Sequence, residues 1–479
     1  MVDIKHIQNG VEMNLRQQIV LTMKLSAPAI MAQLSTILMQ YIDSAMVGRL
    51  GASQSASVGL MNSSLWLFWG VCNMVTMGFS VQVAHLIGAK DESRARDVLR
   101  QGIVSCLIFG TFMALLGLGV APFLPVWLGG EPDINGNASI YFATFTAALP
   151  FLILNYLGGG MLRCAGNMKV PGLLNVGMCV LDVVFNFLLI FPTRTLEVFG
   201  LEFTMPGAGL GVFGAALGTV GAEIVCAAAM MWYLLRVQPD LRLKGRPRGS
   251  FRPTRAVLRR ARGISLPMTF EHIVFCGAQI MVTIIVAPLG MIAIAANAFA
   301  VTAESLCYMP GFGIGDAATT LCGQSYGAGR MNLVKRFCHL STAMGMVLMT
   351  VAGAIMFIFA PEMMRIMSPV DSIVDLGAEV LRIEAFAEPM YAASIVAYGA
   401  FVGVGDTMIP AVMNFGSIWL VRIPLAAILA PTMGLRGVWI AMCLELVFRG
   451  AIFLWRMATG AWLKPGRKLE ISKEGVAGE

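Results

Sequence analysis

The chain has 479 residues, 57% of them hydrophobic and only 13% charged, with a formal charge of +7. Soluble domains are roughly 45–50% apolar and about 25% charged, so an ordinary water-soluble enzyme is excluded. Because about 20 apolar residues cross a bilayer, a chain of this length accommodates about a dozen spans with short connections, and it reads as an all-α polytopic membrane protein. The excess of 34 Lys and Arg over 27 Asp and Glu collects in a few polar stretches, with no stripe of basic residues interleaved with aromatics. That pattern argues against nucleic-acid binding.

In chain order, residues 1–24 lack the basic, apolar, small-residue layout of a cleavable signal peptide and read as a cytoplasmic N-terminal segment. Apolar runs broken by Gly, Pro and charge predict spans near 25–47, 57–87, 99–121, 138–162, 171–191 and 211–235. Together they form an N-lobe over 25–235. A basic linker over 236–262 follows. A C-lobe over 263–460 holds spans near 264–288, 296–323, 338–360, 380–403, 410–430 and 437–458, and a cytoplasmic tail runs over 461–479. Alternate loops and both ends hold 27 Lys and Arg, against Arg49, Arg194, Arg365, Arg382 and Arg436 in the others. Since positive residues are retained in the cytoplasm, both termini are expected there.

The first predicted span carries Gln33, Thr36, Gln40 and Asp43 at helical spacing, a polar face that cannot comfortably meet lipid and should line a cavity. Pro28, near its start, is the expected weak point for a bend. In the fifth span Asn175, Asp182 and Asn186 share a face, and the sixth adds Thr219 and Glu223. No Lys or Arg lies inside these first-half spans to neutralise the acids. Clustered carboxylates in a low dielectric repel one another, and a bound H+ or Na+ relieves the repulsion. Asp43, Asp182 and Glu223, with Asn175, Asn186 and Thr219 as amide and hydroxyl partners, therefore form a candidate cation-coupling site that exchanges H+ or Na+, with Na+ placed at Asp43, Asp182 and Asn186 if Na+ is the ion. In the second half Glu271, Glu304 and Glu388 are candidates for a further coupling or substrate role. His272 reads as a packing or hydrogen-bonding group, and Glu445 with Arg449, four apart, as a structural pair.

An internal repeat stands at a constant offset of 239 residues: Pro28 with Pro267, Gly51 with Gly290, Gly88 with Gly327, Pro150 with Pro389, Gly166 with Gly405, and Pro171 with Pro410. The offset falls to 223 for Gly211 with Gly434, consistent with a longer loop near 192–206. Six spans per half makes two parallel repeats, a common plan of secondary transporters. The ten cysteines lie mostly in apolar runs with no Cys-x-x-Cys pair and read as packing residues. No phosphate-binding loop and no His-Glu-x-x-His motif is present, so neither direct ATP drive nor zinc hydrolysis is expected. No enzyme activity and no cofactor are expected.

Several motifs in this order resemble the multidrug and toxic compound extrusion (MATE) family, within the multidrug, oligosaccharidyl-lipid and polysaccharide exporter superfamily. They include Asp43-x-x-Met46-Val47-Gly48-Arg49-Leu50-Gly51, Gly88-Ala89-Lys90, Arg163-Cys164-Ala165-Gly166-Asn167 with Pro171, and Gly214-Ala215-Ala216-Leu217-Gly218-Thr219. In the second half they include Leu266-Pro267, Gly323-Gln324-x-x-Gly327-Ala328-Gly329, Gly403-Val404-Gly405-Asp406-Thr407 with Pro410, and Arg422-Ile423-Pro424. Asp182-x-x-x-Asn186 departs from the Asn-x-x-x-Asp order of some relatives, Val402 stands where many place arginine, and Glu271 lies one turn before the acid that some place at Phe275.

The resemblance implies twelve helices in two six-helix lobes around a V-shaped central cavity. It also implies export of amphipathic, often cationic, drug-like compounds from a bacterial inner membrane in exchange for H+ or Na+. A monomer working within the lipid bilayer is expected. The alternative on the same fold is an exporter of a lipid-linked or other endogenous metabolite.

Overall fold

The computed structural model describes residues 4–198, 201–245 and 249–463. Residues 246–248 of the expected linker and the tail from 464 onward lie outside the described residues. Among the described residues, ten helices are long and apolar enough to cross a membrane, and two bent helix pairs, each taken as one span, bring the count to twelve. The first six are Leu15–Gly48, Ala52–Gly88, Glu92–Val120, Pro132–Ala147 with Leu149–Cys164, Lys169–Ile190 and Gly211–Arg236. The second six are Arg255–Val286, Met291–Gly327, Met331–Met367, Asp371–Ala385 with Glu388–Gly403, Met408–Met433, and Leu435–Thr459. The fourth and tenth spans are bent, by 49° and 59°.

The repeat is visible in the backbone. The second and eighth helices are both 37 residues long, and each is entered through a glycine at positive φ, Gly51 at 126° and its mate Gly290 at 99°. Gly166 and Gly405 likewise turn at 88° and 83°, a region glycine reaches without steric cost. Two features are additional to the sequence reading. The first helix starts at Leu15, well before its apolar run. Asn14 accepts from the Gln17 amide while the Gln17 side chain accepts from Asn14 N–H, so the helix is started by a capping box. The long loop after the fifth span folds into a hairpin, Pro192–Val198 against Leu201–Ala208, which supplies backbone partners outside any helix.

The lobes close on each other at the end that carries the basic loops. There the second and eighth helices cross backbone to backbone. A Cβ on Gly88 would stand 2.1 Å from Gln324 O, and one on Gly327 would stand 2.0 Å from His85 O. The contact is reciprocal, since His85 and Gln324 are themselves 239 apart. Around the crossing, buried His85 bonds Gly403 O through Nε2 at 2.7 Å and meets Arg260 Nη2 through Nδ1 at 3.1 Å. A guanidinium only donates, so Nδ1 accepts and Nε2 carries the proton. Gln324 Nε2 donates to Cys164 O at 2.8 Å, and Gly78 N–H donates to Ser265 Oγ at 3.1 Å. Beneath the seam the short helix Lys5–Gln8 buries Ile4 and Ile7, while Arg330 Nη1 donates to His6 O and Val11 O.

Toward the other end the polar contacts between the lobes become sparse. Among the described residues, the polar bridges between lobes farthest from the seam are Tyr41 Oη to Thr302 O at 2.8 Å and His272 Nε2 with Trp66 O at 3.2 Å. His272 fills the space that Gly70 leaves, in keeping with its reading as a packing and hydrogen-bonding group. Beyond these contacts the eighth helix is open, with Met291 85% exposed. Gly88→Val should force the crossing apart and cost about 1–3 kcal/mol, lowering the unfolding midpoint in detergent. Gly59→Ala, with open space at its Cβ, should leave the midpoint unchanged.

Candidate functional site

The N-lobe centre is assembled by three helices. Asn186 Nδ2 donates to Asp43 Oδ1 at 2.8 Å and to both Asp182 oxygens at 3.2 Å, so one amide ties the first helix to the fifth. The two carboxyls thus share one donor, and Thr219 of the sixth helix bonds Ala215 O at 3.2 Å. Asp182 and Asn186 are fully buried, whereas Asp43 is half-buried. The close approach rests on Gly218, where a Cβ would sit 2.0 Å from Asn186 Oδ1. Gly214 likewise lies against Leu189 O, so the small-residue face of the sixth helix lets the fifth come close. Asn186 Oδ1 is buried without a donor. An amide oxygen beside two carboxyls is a set of hard oxygen ligands suited to a proton or a small cation.

Asn175 does not join this centre. Seven residues on one face are two helical turns, about 10 Å along the axis, so Asn175 lies well below Asp182. It lines a cavity of about 40 Å³ with Gln33, Thr36, Arg163 and Asp316, where Arg163 and Asp316 pair at 3.9 Å across the lobes. The polar face of the first helix is thus divided: Gln33 and Thr36 serve the lower cavity and Asp43 the upper centre, with half-buried Gln40 one turn before Asp43. Pro28 lies inside a helix that runs unbroken from Leu15 to Gly48, clasped where a Cβ on Gly172 would meet Pro28 O and one on Gly313 would meet Ile30 N.

The C-lobe candidates fall into two places. Glu271 is held by Tyr398, whose hydroxyl donates to Oε2 at 2.6 Å, and by the Asn414 amide, which donates to Oε1. Glu304 and Glu388 belong to a deeper cluster with Glu384, Glu445, Arg422 and Arg449. Glu445 does pair with Arg449, at 2.9 Å, and also with Arg422, at 2.6 Å, while accepting from Ser417 at 2.5 Å. The Arg422 partnership and Glu384 were missed by sequence reasoning, although Glu384 stands one turn before Glu388 in the same apolar run.

Two substitutions test these centres. Gly218→Val should displace Asn186 and separate the Asp43 and Asp182 carboxyls, weakening any rise of the unfolding midpoint with added cation at least as far as Asp182→Asn does, in protein that still purifies as a single species. Glu445→Gln should leave two buried guanidiniums without a full counter-charge and cost about 3–5 kcal/mol, read as a large fall in the unfolding midpoint.

Comparisons with known proteins place this architecture. The family model described as MatE matches residues 28–188 and 267–428. The probable multidrug resistance protein NorM of Thermotoga maritima is 26% identical over 443 residues, covering 92% of each chain. The multidrug resistance protein MdtK of Yersinia pestis is 25% identical over 460 residues, covering 92% of this chain and 94% of the relative. An outward-facing structure of a multidrug resistance MATE family transporter of the MOP superfamily superposes with a TM-score of 0.84 at 21% identity, over 97% of this chain and 99% of that one. With more than half of its length matched, in two segments that start one repeat apart, the chain belongs to the MatE family.

Proposed function

We propose that the protein is a secondary multidrug efflux transporter that exports amphipathic, cationic organic compounds in exchange for H+ or Na+. The observation that carries this reading is the Asp43–Asn186–Asp182 centre, two carboxyls of different helices gathered on one amide donor. The relatives named as multidrug resistance proteins support the drug-like substrate class. Burying carboxylates together is costly unless something positive joins them, so the centre favours cation uptake. The same negative charge attracts a cationic substrate, so the ion and the compound compete for one electrostatic preference. A ligand moves a conformational equilibrium only through such a difference in affinity.

In this reading the basic end is cytoplasmic, the membrane is the bacterial inner membrane, and the closed seam makes the described state outward-facing. The transporter acts as a monomer and needs no cofactor beyond the coupling ion. Cation binding at Asp43 and Asp182 favours a bend of the first helix at Pro28, where proline removes one backbone hydrogen bond, and so changes the cavity wall. Export of a lipid-linked sugar would call for free guanidiniums to meet pyrophosphate. Arg422 and Arg449 are both engaged by Glu445, which favours the drug-like substrate instead.

The test is efflux of a fluorescent cationic dye from proteoliposomes, with H+ and Na+ gradients imposed separately. One gradient should drive dye movement, and Asp43→Asn should abolish the gradient dependence while the protein keeps its unfolding midpoint. Dye movement that persists unchanged in Asp43→Asn would overturn the mechanism.

A further inference from the structure

The outer face of the seventh span changes character along its length. Arg255, Arg259, Arg262, Leu266, Phe270 and Ile273 recur at steps of four, three, four, four and three, so they share one side of the helix Arg255–Val286. All six are exposed, the three apolar ones by 62%, 58% and 47%. Packing falls on the other side, where Ala261, Ile264 and Met268 are buried and Ser265 Oγ donates to Val75 O at 3.0 Å.

The height of the arginines is fixed by the second helix alongside. Gln82 Nε2 donates to Val257 O at 3.2 Å, Arg260 Nη2 meets His85 Nδ1 at 3.1 Å, and Gly78 N–H donates to Ser265 Oγ at 3.1 Å. Arg259 and Arg262 therefore stand level with residues 78–85, inside the end of the second helix at Gly88. Leu266 follows one turn after Arg262, so the guanidiniums mark the edge of the apolar belt. At that level a long arginine side chain runs along apolar surface and carries its charge out to the headgroups.

The repeat shows that the fold does not call for this charge. At the 239-residue offset the first helix presents the same face with Arg16, Val20, Met23, Ala27 and Met31, again all exposed. Apolar side chains thus stand where the C-lobe sets Arg259 and Arg262. Among the described residues no carboxylate pairs with Arg255, Arg259 or Arg262. Two helical turns, about 10 Å, hold all three guanidiniums, whose repulsion an anion would relieve. A phosphate accepts charge-assisted bonds from two guanidiniums at once. A soluble polyanion would use only the charged half of the face, whereas a lipid uses both halves.

We infer that the start of the seventh span binds an anionic phospholipid, with Arg259 and Arg262 on its phosphate and one acyl chain along Leu266, Phe270 and Ile273. Arg255 adds charge at the rim. The matching face of the N-lobe has a single arginine and lacks the pair that holds the phosphate. The site involves neither the coupling ion nor the exported compound, and it is read by lipid binding alone, so its failure would leave the transport reading untouched.

Native mass spectrometry of the purified full chain, with phosphatidylglycerol and phosphatidylcholine of identical acyl chains added in turn, gives the affinity for each lipid. The wild-type chain should bind phosphatidylglycerol about tenfold tighter at one site. Arg259→Gln combined with Arg262→Gln should remove that preference, and Arg16→Gln should keep it. Arg262→Gln alone should weaken it and provides a second variant should the pair fail to fold. Phosphatidylglycerol bound as tightly by the glutamine variants as by the wild-type chain overturns the inference. So does glycerol phosphate or polyglutamate that displaces the lipid at equal concentration, which would make the face a docking surface for soluble anions or for an acidic protein.

Discussion

Everything in the molecule hangs on the place where the second and eighth helices meet without side chains between them. Gly88 lies on the backbone at Gln324 and Gly327 on the backbone at His85, one contact made twice by the repeat. Helices in lipid gain little from excluding water, so close backbone approach and interhelical hydrogen bonds hold them together. The crossing supplies the first directly and positions the second, because His85 and Gln324 reach Gly403 O and Cys164 O only when the helices are this near. The interlobe contacts continue from this crossing to Ile30 against Gly313 and to Tyr41 with Thr302, so the first and eighth helices stay together along much of their length.

Polar groups are distributed by the same economy. Each has to be satisfied inside the bundle or turned toward the cavity, since the bilayer offers no water. Glu445 is the fully satisfied case, accepting from Ser417, Arg422 and Arg449 at once. Glu271 is intermediate, held by a tyrosine hydroxyl and an amide. Asp43 and Asp182 share a single amide between two carboxyls. This gradation separates groups that fix the fold from groups that can exchange an ion, because a carboxylate already surrounded by guanidiniums gains nothing from another cation.

Much of this was legible in the residues because helical spacing and turn chemistry are local. The glycines at 51, 166, 290 and 405 marked turns that adopt positive φ, and the shared faces of the first and fifth spans brought Asp43, Asp182 and Asn186 together. What periodicity cannot give is height along a helix. Asn175 has the right face but stands two turns away from Asp182, and it meets Arg163 and Asp316 instead. The bend between Ala385 and Glu388 was equally hidden, and with it the way Glu384 and Glu388 are enclosed at one junction. The long loop after the fifth span offered no helical period, and its hairpin follows from pairing that local spacing does not reveal. The early start of the first helix was there to be read in Asn14 and Gln17, a capping box ahead of the apolar run.

The segment ahead of the first span also joins the two lobes. Ile4 lies against the turn at Gly166, Gln8 reaches Gln324, and Arg330 grips the carbonyls of His6 and Val11. One short stretch of chain therefore touches the fourth-to-fifth turn of one lobe and the eighth-to-ninth turn of the other. It works as a clasp across the closed end, so the lobes cannot separate there without first releasing the stretch between Ile4 and Val11.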